Sequence, residues 1–170
     1  IVQCGINSKT RQMSATYNGV KSCVAANLTL QGGMACKYGC FGFGDCAEVC
    51  PVDAIIMENG APIIDIEKCI GCGACVKACP RNIISLYAHI PGERISYVAC
   101  SNSEPGKQVR TVCKIGCIAC GICQKLSDNV FEVKNNLSRV NPEKRKEKEV
   151  DWNNIIQKCP THCILEAHRK

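Results

Sequence analysis

Short apolar segments separated by polar turns recur along the chain, and they predict strands of only a few residues. The clearest case is "DAIIMENGAPIIDIEKC", in which Asn59-Gly60 separates two apolar segments. Asn-Gly between such segments is a strong hairpin signal, because both residues tolerate positive φ. The apolar positions are Ile55, Ile56, Ile63, Ile64 and Ile66. A further pair, Ile83-Ile84, follows, and we expect these isoleucines to shield a buried site from water.

A helical period appears only near the end of the chain, in "EKRKEKEVDWNNIIQKC". Trp152, Ile155, Ile156 and Cys159 stand at i, i+3, i+4 and i+7, which predicts one apolar helix face that carries a cysteine at its end. The charged residues 144–149 at its start are expected to form a solvated helix face. Because lysine and glutamate alternate there without an aromatic partner, the segment does not indicate nucleic-acid binding.

Cysteine content changes this picture more than any other feature of the composition. The chain has 17 cysteines in 170 residues, an odd number grouped in tight runs, so thiolate metal ligation is favoured over a disulfide scaffold. Because the chain has only eight aromatic residues to fill a core, bound clusters would have to organise the fold.

The net charge of +6 suits an acidic partner, and no apolar stretch is long enough to span a membrane. The start at "IVQCGI" without Met suggests a missing upstream segment.

The run "CIGCGACVKACP" contains Cys69, Cys72, Cys75 and Cys79, the last followed by proline. Bacterial ferredoxins hold [4Fe–4S] clusters with this spacing, in which three cysteines bind one cube and the fourth binds a neighbouring cube. A structural zinc site would use two separated C-x2-C pairs and would leave one cysteine of this run unused. The run therefore predicts an iron–sulfur cluster, with a structural zinc protein as the alternative.

A second run, "CKYGCFGFGDCAEVCP", lies upstream and lacks one cysteine of the usual pattern. Cys40, Cys46 and Cys50 occupy the first, third and fourth places, and Phe43 occupies the second, so Cys36 is the nearest replacement. Crossed ligation then predicts two clusters. Cluster one is assigned Cys36, Cys40, Cys46 and Cys79, and cluster two is assigned Cys50, Cys69, Cys72 and Cys75.

The upstream run aligns without a gap on "CKIGCIACGICQKLS", which indicates an internal repeat. Cys50 corresponds to Ser127, and the counterpart of the Cys69 trio is absent, so the second unit has given up one cluster. A cysteine before proline survives in "KCPTHC" as Cys159. We assign cluster three to Cys117, Cys120, Cys123 and Cys159, with Cys113 as an alternative ligand. The chain is thus expected to bind three [4Fe–4S] clusters.

The predicted fold class is α+β, with tandem ferredoxin-like units, small β-hairpins and short helices organised by the clusters. Residues 1–35 form a lead-in, 36–90 a two-cluster unit and 91–170 a degenerate unit with one cluster. Cysteines outside the three ligand sets are interpreted as buried apolar residues; they are Cys4, Cys23, Cys100, Cys113 and Cys163.

Residues for other chemistry are scarce. His89, His162 and His168 lack a carboxylate or cysteine partner at an informative spacing and are interpreted as surface residues. Asp45 is expected to cap the helix that follows it. No G-x-G-x-x-G follows a predicted strand, so the sequence predicts neither a flavin or nicotinamide site nor a substrate-converting site in this chain.

Nearly the whole chain resembles the cytoplasmic part of the B subunit of the Rnf complex. The resemblance rests on "IVQCG" and on "ATYNGVKSCVAANLTLQGGMACKYGCFGFGDCAEVCPVDAI". It implies an electron-carrying subunit of an ion-translocating ferredoxin:NAD+ oxidoreductase at the cytoplasmic face of the cell membrane. The implied partners are soluble ferredoxin and the membrane subunits, with membrane association through them or through an upstream segment. A polyferredoxin module of a soluble oxidoreductase is the alternative.

Overall fold

The computed structural model describes residues 1–88 and 94–167, and these form short helices and three two-stranded antiparallel sheets. The helices are α1 Cys23–Leu28, α2 Asp45–Glu48, α3 Ala74–Ala78, α4 Gly106–Val112, α5 Ile122–Leu126, α6 Pro142–Glu147 and α7 Trp152–Lys158, with a 3-10 turn at Leu30–Gly33. The strands are β1 Ile55–Glu58, β2 Ala61–Ile64, β3 Ser96–Val98, β4 Phe131–Lys134, β5 Leu137–Val140 and β6 Ile164–Glu166. This is the α+β character that the sequence predicts.

The predicted hairpin is confirmed. Strand β1 pairs with β2 in a register that leaves Asn59 and Gly60 as the two-residue turn. Both have positive φ, 49° and 70°, as the favoured hairpin turn requires. The second hairpin, β4 with β5, repeats this design around Asn135 and Asn136, which also have positive φ. The repeat in sequence is therefore also a repeat in local structure.

The two chain segments that precede the repeats also occupy matching places. Val2 forms an antiparallel bridge with Ile84, and Val98 in β3 pairs with Ile164 in β6. Ile84 follows Cys79 by five residues, and Ile164 follows Cys159 by five residues. Each half therefore closes by pairing its first strand-like residues with the residues that follow its Cys-Pro. The expected boundary between the halves, at residues 90 and 91, lies outside the described residues.

Cysteines make up a large part of the apolar cores. One core combines Ile55, Ile83 and Ile84 with cysteines of the first half, and another combines Phe131 and Ile155 with cysteines of the second half. Ile83 and Ile155 are each 1% exposed, so the apolar positions named from sequence do surround cysteine-rich centres. Within the described residues, no helix has the length and apolar character needed to cross a membrane.

The predicted apolar face of α7 is confirmed, but the charged segment before it differs from the prediction. Residues 142–147 form the separate helix α6, and the chain is extended at Lys148. Arg145 is buried, and its guanidinium donates hydrogen bonds to the hydroxyl of Tyr87 and to the carbonyl of Arg94, both at 2.6 Å. The planar guanidinium of Arg145 can make both hydrogen bonds inside the protein, which the single ammonium group of a lysine would not do in the same way. The prediction that residues 144–149 form a solvated helix face is therefore wrong at Arg145.

Candidate metal centres

Three copies of one local structure present the predicted ligands. In each copy a glycine with positive φ precedes a short helix, and the cysteine two residues after the glycine lies in the first turn. The three pairs are Gly44 and Cys46, Gly73 and Cys75, and Gly121 and Cys123, with glycine φ values of 95°, 77° and 76°. A side chain is strained at such φ values, so glycine lets the loop of ligands turn directly into the helix.

The first centre contains three of the four cysteines predicted for cluster one. Cys40, Cys46 and Cys79 line one cavity, but the fourth cysteine of that cavity is Cys23 on α1. Burial raises the pKa of both Cys40 and Cys46 to about 12, and the nearby Cys23 thiol contributes to the shift at each of them. Cys36 lines a different cavity.

Cys23 is held in this position by Asp45. The carboxylate accepts the backbone N–H of Cys23 at 2.7 Å and of Val24 at 3.2 Å, as well as the hydroxyl of Ser22 at 2.9 Å. Burial alone would raise the pKa of Asp45, but these donors outweigh it and leave the pKa below its ordinary value. The prediction that Asp45 caps the following helix is wrong, because its carboxylate caps the earlier helix α1.

A half-buried cation also lines the first centre. Arg81 borders the same cavity, its guanidinium lies 4.2 Å from the ring centroid of Phe41, and Cys36, Cys40 and Cys79 are close enough to act on its pKa, which burial lowers. The Nε of Arg81 is buried without a hydrogen-bond partner among the described residues. An unpaired buried donor is costly, and an anionic iron–sulfur cluster would supply the missing acceptor.

The cysteines predicted for cluster two lie nearer the surface. Cys69 and Cys72 are exposed, whereas Cys50 and Cys75 are half-buried and pack against the same apolar core. Burial raises the pKa of Cys75, and Cys69 is close enough to contribute. The structure thus places Cys50 and Cys69 in the surroundings of Cys75, while no described contact joins Cys72 to the other three.

The cysteines predicted for cluster three meet in the second half. Cys117, Cys123 and Cys159 share one core, and the thiols of Cys117 and of the exposed Cys120 both act on Cys123, whose pKa is raised mainly by burial. The alternative ligand Cys113 lies in a different core.

Sequence reasoning missed Cys163 as a neighbour of this centre. Its sulfur lies 3.7 Å from the sulfur of Cys159, and its thiol hydrogen-bonds Cys117. These hydrogen bonds lower the pKa of Cys117 to about 6 and that of Cys159 to about 5, while the pKa of Cys163 is raised. In the repeat Cys163 corresponds to Ile83, a buried apolar residue. This correspondence could have indicated from sequence that Cys163 is buried beside the centre.

Ser127 occupies the place of Cys50 in the repeat, and it has a structural contact of its own. The side chain is 4% exposed, and its hydroxyl accepts the backbone N–H of Phe131 at 2.9 Å, at the start of β4. The serine therefore satisfies a buried donor in the turn between α5 and the hairpin.

Replacing Ser127 with alanine should leave the iron content of the protein unchanged and lower its stability by about 1–3 kcal/mol, the cost of a buried unpaired N–H. Iron assay and thermal unfolding of the anaerobically prepared protein measure the two effects. Ser127→Cys serves as the companion variant, and it should not gain iron because the counterpart of the Cys69 trio is missing. Loss of about four iron atoms from Ser127→Ala would contradict the assignment of ligands in the second half.

The spacing of the thiols bears on which metal the centres fit. Within residues 1–88 and 94–167, no three histidine, cysteine, aspartate or glutamate side chains are placed to hold a single metal ion. Tetrahedral zinc with Zn–S bonds of about 2.3 Å brings its sulfurs to within about 3.8 Å of one another. A four-iron cube holds its cysteine sulfurs further apart, because an iron lies between each sulfur and the centre. Runs of three cysteines separated by two residues are the ligand pattern of four-iron cubes, whereas structural zinc uses separated pairs, so the spacing of the donors favours cubes over single ions.

Other residues considered from sequence do not enter these centres. His162 is exposed, and His89 and His168 lie outside the described residues.

Comparison with known proteins supports the iron–sulfur interpretation. The family described as a 4Fe-4S binding domain matches residues 62–85, and the family described as the 4Fe-4S single cluster domain of ferredoxin I matches residues 112–165. The first match contains the run from Cys69 to Cys79, and the second contains all four cysteines assigned to cluster three. The chain is therefore a ferredoxin-like protein with [4Fe–4S] binding domains.

Three curated relatives match at 37–40% identity. The B subunit of the Na(+)-translocating ferredoxin:NAD(+) oxidoreductase complex of Acetobacterium woodii is 38% identical over 96% of this chain and 47% of its own length. The B subunit of the proton-translocating ferredoxin:NAD(+) oxidoreductase complex of Clostridium ljungdahlii is 40% identical over 82% and 49%. The B subunit of the ion-translocating oxidoreductase complex of Methanosarcina acetivorans is 37% identical over 64% and 40%. The chain spans about half the length of these relatives or less.

Proposed function

This chain is a homologue of the B subunits of ion-translocating ferredoxin:NAD(+) oxidoreductase complexes, and we propose that it carries single electrons within such a complex. Its electrons come from soluble ferredoxin and pass to the membrane subunits, and the complex couples this transfer to the movement of Na+ or H+. The chain itself lies at the cytoplasmic face of the membrane. The relatives' names favour this function over a module of a soluble oxidoreductase.

One observation carries the proposal: a cysteine of the second ligand run lies in the cavity lined by two cysteines of the first run. Cys79 of the second run lies in the cavity of Cys40 and Cys46. Cys50 of the first run packs in the same core as Cys75, which also contains Cys40, Cys46 and Cys79. This crossing is the arrangement by which bacterial ferredoxins tie two clusters together. It supports cluster two as first assigned, and it supports cluster one with Cys23 in place of Cys36.

Three [4Fe–4S] clusters are the minimum that the proposal requires. Cluster one would use Cys23, Cys40, Cys46 and Cys79; cluster two would use Cys50, Cys69, Cys72 and Cys75; cluster three would use Cys117, Cys120, Cys123 and Cys159. The match of a single-cluster domain to residues 112–165 supports one cluster in the second half. When bound, each cluster would accept and release one electron at a time.

The residues around the centres determine where electrons enter and what stabilises them. Cys69 and Cys72 are exposed, and the apolar side chain of Ile70 between them is 64% exposed, so this loop offers a contact surface for a redox partner. The half-buried guanidinium of Arg81 would stabilise negative charge at cluster one. Arg139 would do the same in the second half, because it lies beside Cys100 and Cys117.

Stepwise reduction by ferredoxin tests the function. Anaerobic addition of reduced ferredoxin to the cluster-loaded chain should bleach its visible absorbance in one-electron steps and reoxidise the ferredoxin. NAD+ alone should cause no change in the reduced chain, because the flavin and nicotinamide sites are expected on other subunits. A loaded chain that takes electrons from dithionite but none from ferredoxin would contradict the proposed partner.

A further inference from the structure

Two chain segments that precede the repeats lie side by side and bring two unassigned cysteines together. The backbone N–H of Gly5 donates to the carbonyl of Ala99 at 2.9 Å, and the hydroxyl of Ser101 donates to the carbonyl of Gln3 at 3.0 Å. These bonds join the neighbours of Cys4 to the neighbours of Cys100. The two cysteines therefore face a common region between the halves of the molecule.

Two further cysteines close this region from the other side. Cys36 accepts a hydrogen bond from the side-chain amide of Asn102, with 3.7 Å between nitrogen and sulfur, and Asn102 itself is 1% exposed. The next residues reinforce the contact, since Lys37 forms an ion pair with Glu104 at 2.7 Å. Cys113 ends helix α4 and is also buried.

All four cysteines line one cavity. Burial raises the pKa of Cys4 to about 12 and also raises the pKa of Cys100 and Cys113. Cys36 is close enough to each of these three to contribute to its shift, so it is their common neighbour. The free space of this cavity, about 20 Å³, equals that of the cavity lined by Cys23, Cys40, Cys46 and Cys79. The two centres are therefore alike in composition, burial and room.

These four cysteines are two pairs of corresponding positions in the internal repeat. Cys4 in "VQC" corresponds to Cys100 in "VAC", and Cys36 corresponds to Cys113. Each half thus contributes one cysteine from its first strand-like segment and one from the start of its ligand run. This explains why the second half has Cys113 although Cys120 already fills the place that Phe43 leaves open in the first half.

We propose that Cys4, Cys36, Cys100 and Cys113 bind a fourth [4Fe–4S] cluster at the junction of the two halves. A cube is favoured over zinc because this cavity, like the one lined by Cys23, Cys40, Cys46 and Cys79, is lined by four cysteines and has the same free space. The assignment also accounts for all but one of the cysteines, since four clusters use 16 of the 17 and leave Cys163.

The position of this centre suits a relay between the halves. On one side, the backbone N–H of Cys40 donates to the sulfur of Cys4 at 3.4 Å. On the other, the backbone N–H of Cys117 donates to Cys100, and Cys117 itself is close enough to raise the pKa of Cys100 further. The relay rests on the proposed function: an electron from ferredoxin would leave cluster one, which is oxidised, and reduce the fourth cluster, with no proton or bond exchanged.

Iron content decides the proposal. The anaerobically prepared chain should contain about 16 iron atoms and as many acid-labile sulfides, four of each per cluster. Cys100→Ala and Cys113→Ala should each remove one quarter of both, and the double variant should lose no more than either single variant. Cys163→Ala is the matched control, and it should retain the full content.

The iron count also distinguishes a failure of the fourth cluster from a failure of the proposed function. A parent with about 12 iron atoms, or with 12 and one zinc, would overturn the fourth cluster and leave the proposed function standing. A parent without iron or sulfide would overturn both. If the alanine variants fail to fold, the parent's own count still decides, and Cys100→Ser provides a milder change whose reduced EPR spectrum should lose one component.

Discussion

Replacing Cys159 with alanine is expected to remove one intact [4Fe–4S] cluster, with a loss of about four iron atoms if the cube is lost and of about one if it is converted. Cys159 is the only cysteine before proline in the second half, and α7 delivers it to the core that contains Cys117 and Cys123. A cube with three remaining thiolates has one iron without a protein ligand, so it is lost or converted to a three-iron form. Iron and sulfide assay together with EPR of the oxidised protein distinguish these two results.

Cys163 is the necessary control for this experiment, because its sulfur lies only 3.7 Å from that of Cys159. We expect Cys163→Ala to retain all iron, since its counterpart in the repeat is the apolar Ile83. The double variant should lose no more than Cys159→Ala alone. Iron loss from Cys163→Ala with retention in Cys159→Ala would reverse the roles of the two residues and contradict the proposed ligand set.

Cys23→Ala and Cys36→Ala are expected to remove one cluster each, and the double variant two. The reason is that the two thiols lie in different cavities, Cys23 with Cys40 and Cys46, and Cys36 with Cys100 and Cys113. Changes at independent centres should add. The double variant should therefore lose about eight iron atoms, measured against the unaltered chain prepared in parallel.

Iron losses that do not add in the double variant would show that only one of the two cysteines is a ligand. If Cys36 were the ligand of cluster one and Cys23 a packing residue, Cys23→Ala would retain all iron and the double variant would match Cys36→Ala. Asp45→Asn offers an independent check, because Asp45 holds the backbone of Cys23 and does not contact Cys36 in the described hydrogen bonds. It should weaken cluster one alone.

The features predicted well from sequence are those encoded within short segments. Hairpin β1–β2 follows from Asn59-Gly60 between apolar residues, and the apolar face of α7 follows from a four-residue pattern. The ferredoxin run from Cys69 and the gapless repeat are likewise local, because a loop that wraps a cube must have fixed spacing. These segments are sufficient to predict an α+β iron–sulfur protein that resembles the Rnf family.

What the sequence could not supply is the path of the chain between segments. Cys36 is the nearest cysteine to Phe43 that the standard run leaves unassigned, but α1 brings Cys23 into the cavity lined by Cys40 and Cys46. That fold depends on bonds from Asp45 to residues 22–24, a contact that spacing alone does not reveal. The burial of Arg145 is hidden for the same reason, because its partners are more than fifty residues away.

The cysteines of the proposed fourth cluster could not be recognised as ligands from sequence. Cys4 and Cys100 are 96 residues apart in sequence and show no ligand spacing, so the sequence alone indicates packing residues. The backbone bonds around Gly5 and Ala99 bring them together, and only then does the repeat that relates them acquire a chemical meaning.

Quantification of iron, sulfide and zinc in the anaerobically prepared chain, with EPR of the dithionite-reduced protein, tests the central claim most directly. The claim predicts about 16 iron atoms and equal sulfide per chain, no stoichiometric zinc, and signals of interacting [4Fe–4S]+ centres. Stoichiometric zinc without acid-labile sulfide would contradict it, because the cysteine sets would then hold single structural ions and the chain could carry no electrons.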